Sequence, residues 1–188
     1  VNYGRISPHL KRAVIVTEDA AFWDHGGVDF QQLKESMEVN LERMEFERGA
    51  STITQQLAKN LFLKPERTLS RKAQEAVLAL WLEQNFSKDE ILQLYLNRVY
   101  FGSGATGIEK AAQAYYQKSA TDLSLMEAAT LAGVLKAPSN LSPATHPDAA
   151  AARANLVINA MIETGYISRD EADSAINSPA NVVASDYV

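Results

Sequence analysis

Three times this chain places a glutamate three residues after a serine, at Ser87…Glu90, Ser124…Glu127 and Ser168…Glu171, and each time an apolar-periodic stretch follows. This is the capping box, in which serine hydroxyl and glutamate carboxylate each satisfy a backbone N–H orphaned at a helix start. The stretches run over Ile91–Tyr100, over Ala128–Leu135 with Pro138 closing it, and into a short last helix ending near Ile176. Ser7-Pro8 adds another start, an N-cap followed by proline at the first helical position, leading into an expected helix over His9–Asp24. The β-branched run Val14-Ile15-Val16 sits inside helical periodicity, and strand signals are nearly absent. The expected fold class is mainly α. Segment 137–148, with three prolines, reads as loop, and 177–188 as a tail or linker.

At 188 residues the chain is long enough to bury a core without staples. It has no cysteine, which removes disulfides, thiol nucleophiles and thiolate metal sites, and its three histidines lie scattered at 9, 25 and 146. A net charge of −5 argues against nucleic acid as a partner. No uncharged run reaches the ~18 residues of a membrane span, so any anchor is expected upstream of Val1.

The charge is uneven. Lys59, Lys64, Arg67, Arg71 and Lys72 face one acid, Glu66, giving a local +4 that leaves −9 for the remainder. A basic island in an acidic chain is a candidate anion site, the alternative being a solvated helix face. Phe30, Leu33, Met37, Leu41 and Met44 form a helical apolar stripe opposite Lys34, Glu35, Glu38, Glu42 and Arg43. Such a stripe packs on a core or belongs to a membrane-touching lobe.

Glu18 interrupts another stripe, with Val14 and Ile15 before it and Phe22 one turn beyond on the expected helix. Loss of hydration there should raise its affinity for a proton, as a catalytic base requires, unless Arg12 neutralises it. On a helix over 70–86, Arg71 and Glu75 stand at i,i+4 and Lys72 at i,i+3 from Glu75, beside Leu78 and Leu82. That is a surface ion pair or part of an anion site. Residues 49–60, Gly-Ala-Ser-Thr-Ile-Thr-Gln-Gln-Leu-Ala-Lys-Asn, suit a polar cleft wall better than a core helix. A helix is expected to start near Thr52 with Gln55 at the capping-box position.

Together these residues resemble the peptidoglycan glycosyltransferases, the transglycosylase domains of class A penicillin-binding proteins and their monofunctional relatives. Glu18-Asp19-x-x-Phe22-x-x-His25-x-Gly27 resembles the first motif, residues 49–60 the second, and Arg71-Lys72-x-x-Glu75 the third. Lys88-x-x-Ile91-Leu92-x-x-Tyr95-Leu96-Asn97-x-x-Tyr100-Phe101-Gly102 is similar to the fourth, followed by matches at 107–115 and 131–138. The resemblance covers about residues 5–176. It implies a lysozyme-like head with a small hydrophobic jaw near 27–60, all within a domain over 1–176. By the family pattern Glu18 is the general base, supported by Asp19, Phe22 and His25, and Glu75 is the second carboxylate, at the diphosphate. Ser51, Gln55, Gln56, Lys59, Asn60, Arg67 and Lys72 match substrate-binding positions, with Arg71 beside them as support.

The implied reaction polymerises lipid II into β-1,4-linked glycan, with inversion and release of undecaprenyl pyrophosphate. The resemblance implies a divalent cation, Mg²⁺ or Mn²⁺, of unnamed ligands, and no organic cofactor. Its implied partners are the growing glycan, moenomycin-type phosphoglycolipid inhibitors and the outer surface of the bacterial cytoplasmic membrane. The transpeptidase signatures Ser-x-x-Lys and Lys-Thr-Gly are absent from these 188 residues. A muramidase would share the single glutamate but has no use for the basic island; a non-catalytic helical adaptor at the membrane has no use for Glu18.

Overall fold

The computed structural model describes residues 1–35, 51–62 and 69–183. They divide into two compact units, one made of 1–20 with the chain from 96 onward, the other of 21–95. The expected jaw interval, 27–60, falls inside the second unit, and the stripe residues Met37, Leu41 and Met44 lie outside the described residues. Among the described residues there is no strand, only an isolated bridge between Tyr100 and Thr106, as the mainly α reading expects.

The first unit is built around a helix with no exposed face. Every residue of Met126–Val134 is buried, within a helix over Leu125–Val134. Such all-round burial requires partners on several sides. They are the helices Pro8–Glu18 and Pro147–Glu163, which also touch each other, and the short helix Arg169–Ile176. In chain order we label the helices α1 (Pro8–Glu18), α2 (Ile53–Phe62), α3 (Leu69–Asn85), α4 (Lys88–Arg98), α5 (Ile108–Tyr116), α6 (Leu125–Val134), α7 (Pro147–Glu163) and α8 (Arg169–Ile176). The boundary between the units falls inside α4. Gly133 on α6 is where α7 comes close: a Cβ there would lie 2.8 Å from Arg153 Cγ.

All three serine capping boxes form. Ser87, Ser124 and Ser168 each accept the N–H of the glutamate three residues on, and that glutamate accepts the serine N–H at 2.8, 2.8 and 2.7 Å. The box at Ser168 holds the Glu171 carboxyl below the usual carboxylate range, chiefly through the backbone N–H of Ser168. Pro8 occupies the first turn of α1 as expected, but Ser7 makes no side-chain cap; its hydroxyl donates to Leu123 O at 3.4 Å instead.

One boundary differs in a way that matters for function. The helix expected over His9–Asp24 ends at Glu18. The N–H of Asp19 still reaches Ile15 O at 2.9 Å, but its φ, ψ of −163°, 78° take the chain out of the helix. A separate turn follows, in which Ala21 O accepts from Asp24 and His25. No proline or glycine marks the break in Ala20-Ala21-Phe22-Trp23. Phe22 is fully buried off the helix, so tertiary packing has overridden local propensity.

Within the second unit, α2 packs on α3. Residues 30–35 are helical, and Phe30 and Leu33 of the stripe are 70% and 38% exposed.

Candidate active site

Glu18 closes α1 and is half-buried, while Val14 and Ile15 behind it are fully buried, so its base is fixed by the core of the first unit. Phe22 does not share its helix face. Asp19 is buried, at 2% exposure.

The second unit gathers most of the other candidates. At the start of α2, Thr52 and Gln55 form a reciprocal cap: Gln55 Oε1 accepts the Thr52 N–H at 2.9 Å, and Thr52 Oγ1 accepts the Gln55 N–H at 3.1 Å. The start expected near Thr52 is therefore present, and Gln55 is held by it. The segment is less of an open polar wall than its residue types suggest. Thr52, Thr54 and Gln55 are buried, Ser51 and Gln56 are half-buried, and Lys59 and Asn60 are exposed at the far end of the helix. Gln56 links two elements, accepting from the Tyr95 hydroxyl at 3.0 Å while its Nε2 donates to Ser51 O at 3.4 Å.

On α3 the third-motif carboxylate is buried, Glu75 being 5% exposed. Lys72 reaches it, at 3.4 Å from Oε1, and the same ammonium donates to Ser51 Oγ. The Arg71 guanidinium donates to Gln74 Oε1 at 3.5 Å. Second and third motifs thus meet at Lys72, which holds a serine hydroxyl and a buried carboxylate at once. Arg67 and Lys64, and with them part of the basic island, lie outside the described residues.

Around His25 the structure adds residues to which the sequence assigned no role. Gly27 donates its N–H to His25 Nδ1 at 3.0 Å, so that nitrogen acts as an acceptor. The carbonyl of Gly27 accepts from Thr52 Oγ1 at 2.6 Å, tying the turn to the start of α2. Lys88 donates to His25 O at 2.6 Å and pairs with Glu83 at 2.6 Å. Lys88 was visible as the first residue of the fourth motif; Glu83 carried no signal, since one glutamate on a helix is usually solvated.

Thr52 gives a test of this local architecture. Thr52→Ala removes the N-cap and leaves Gly27 O unpaired, for an expected loss of about 0.5–2 kcal/mol. Thr52→Ser, which keeps the hydroxyl, is expected to recover most of it. Urea unfolding of both variants makes the comparison, and equal stabilities would show that the hydroxyl is not the anchor.

Comparison with known proteins shows the family. The family described as Transglycosylase matches residues 1–162, and the chain belongs to that family. It is 47% identical over 182 residues to penicillin-binding protein 1A of Aquifex aeolicus, a match covering 97% of this chain and 25% of that protein. To the Escherichia coli K12 protein of the same name it is 45% identical over 181 residues, covering 96% of this chain and 21% of the relative. The 2.6 Å crystal structure of penicillin-binding protein 1A from Haemophilus influenzae superposes with a TM-score of 0.50 at 30% identity, covering 72% of this chain and 17% of that one. The chain spans about a quarter or less of the length of these relatives. The motif resemblance and the mainly α, lysozyme-like fold are thereby borne out.

Proposed function

We propose that this domain polymerises lipid II into β-1,4-linked glycan, inverting the donor sugar and releasing undecaprenyl pyrophosphate. The observation that carries the reading is the Ser51–Lys72–Glu75 arrangement, a cation seated between a hydroxyl at the start of α2 and a buried carboxylate on α3. A diphosphate leaving group needs charge compensation more than a proton, and Lys72 with Lys59 and Arg67 supplies positive charge. The attacking sugar hydroxyl is neutral and needs a base, the role of Glu18. Direct displacement explains inversion without a covalent enzyme intermediate.

A divalent cation, Mg²⁺ or Mn²⁺, fits this site as a substrate-bound ion. Among the described residues no group of three or more His, Asp or Glu side chains could hold a metal. Mg²⁺, however, commonly needs only one or two carboxylates besides the phosphates it binds. Glu75 is the residue that would hold it, and the ion would neutralise charge on the departing diphosphate.

Among the described residues no helix is long and apolar enough to cross a membrane. The reading places the domain on the outer face of the bacterial cytoplasmic membrane, held by an anchor outside these residues. Exposed Phe30 and Leu33 support an apolar contact there. Incubation with lipid II decides the reaction: lengthening glycan supports it, and shortening of added glycan would establish a muramidase instead.

The same charges should bind phosphoglycolipids of the moenomycin type. Lys59→Ala and Arg67→Ala are each expected to weaken that binding by roughly 1.5–3 kcal/mol, the worth of a charge-assisted hydrogen bond. Added salt should weaken it further. Titration calorimetry at two salt concentrations measures both effects; unchanged affinity in both variants would make the island a solvated face.

A further inference from the structure

One ion pair of the second unit lies outside the residues assigned above to substrate binding and chemistry. The Lys88 side chain, at the start of α4, is 20% exposed, and that of Glu83, near the end of α3, is 11% exposed. Ions withdrawn this far from water are costly unless their polar atoms are well partnered. Here the partners come from three separate segments. The Lys88 ammonium donates to Glu83 Oε1 and to His25 O, each at 2.6 Å, and stands 4.5 Å from the centroid of the Phe22 ring. Glu83 Oε1 also accepts from Thr54 Oγ1 on α2 at 2.8 Å. The turn itself is pressed against α3, since a Cβ on Gly27 would lie 2.9 Å from both Ala79 O and Glu83 Cγ.

A half-buried pair such as this is a poor device for stability alone, because apolar side chains of similar volume often serve as well. Its distinctive property is direction. One ammonium and one carboxylate fix the 22–27 turn, the first turn of α2 and the last turns of α3 relative to one another. The first turn of α2 begins two residues after Ser51 and carries Gln55 and Gln56; α3 carries Lys72 and Glu75. We propose that Glu83 and Lys88 are a positioning pair for the glycosyl-transfer site: they set Ser51 and Gln56 against Lys72 and Glu75. The inference rests on the glycosyltransferase reading above for its consequence, though not for its geometry.

The test compares Lys88→Met, Glu83→Gln and the double substitution in lipid II elongation. Displacement of a positioned group by about 1 Å can cost as much as 10²-fold, so each single change is expected to lower kcat about 10–100-fold. KM should stay within about threefold, as for an interaction that matters after binding. The double variant should be no slower than the slower single, because either loss releases the same turn. Thr54→Val, which removes only the link to α2, provides a milder version should the others fold poorly, and is expected to lower kcat in the same way. Amide hydrogen exchange supplies a readout free of substrate: in Lys88→Met, Gly27 and Thr52 should exchange faster while α6 is unchanged. Unaltered kcat in the variants, losses that multiply in the double, or unaltered exchange would each overturn the proposal. An unsubstituted protein that fails to elongate lipid II would overturn the glycosyltransferase reading, and exchange would still decide whether the pair holds the turn.

Discussion

Glu18→Gln is expected to lower glycan elongation by about 10²–10⁴-fold, the usual cost of losing a positioned general base. Gln retains the size and shape of Glu and gives up only the capacity to take a proton. It stands at the end of α1, whose Val14 and Ile15 are buried in the first unit, so the helix should be indifferent to the exchange. The urea midpoint and phosphoglycolipid affinity are therefore expected to stay close to those of the unsubstituted protein. Glu75→Gln should be milder in rate and should weaken diphosphate handling, because the Lys72 ammonium would lose the carboxylate that orients it. Should Glu18→Gln elongate lipid II at a near-normal rate, the base lies elsewhere.

Gly27→Ala is expected to cost about 3 kcal/mol of stability. Its φ of +103° is a conformation that residues with a Cβ rarely adopt, worth about 1–2 kcal/mol. The added carbon would also lie 2.9 Å from Ala79 O, a backbone atom that cannot swing aside, and overpacking of this kind costs about 1–3 kcal/mol. Gly104 supplies the control, with φ +73° and nothing within 4 Å of where a Cβ would stand, so Gly104→Ala should show the strain without the collision. Denaturant unfolding of the two variants separates the terms. Equal losses would mean that the turn does not press on α3 as tightly as the distances indicate.

What could be read from the sequence was whatever is decided within one helical turn. Ser87, Ser124 and Ser168 find their glutamates three residues on without help from the rest of the chain, and Thr52 with Gln55 follows the same rule. The end of α1 could not be read this way. Nothing in Ala20-Ala21-Phe22-Trp23 opposes a helix, and the break comes from where Phe22 is buried. Site residues divide similarly. Lys72 and Glu75 are helical neighbours and were legible as a pair, whereas the contact of Lys72 with Ser51 spans 21 positions and depends on α2 packing against α3. Glu83 with Thr54, 29 apart, and Lys88 with His25, 63 apart, are of that second kind, and no local pattern announces them.

The first unit is discontinuous in the chain, and this has a consequence for synthesis. The buried face of α1, Leu10, Ala13, Val14 and Ile15, belongs against α6 and α7. Leu125, the first residue of α6, follows Ile15 by 110 positions (125 − 15). At about 5–20 residues per second the ribosome needs roughly 5–20 s to cover that distance. During that interval every residue of the 21–95 unit has been made and can begin to pack, while α1 presents its apolar side to whatever is nearby. The nascent protein should accordingly mature from the inside of its sequence outward, and a chaperone that shields α1 would act before α6 emerges.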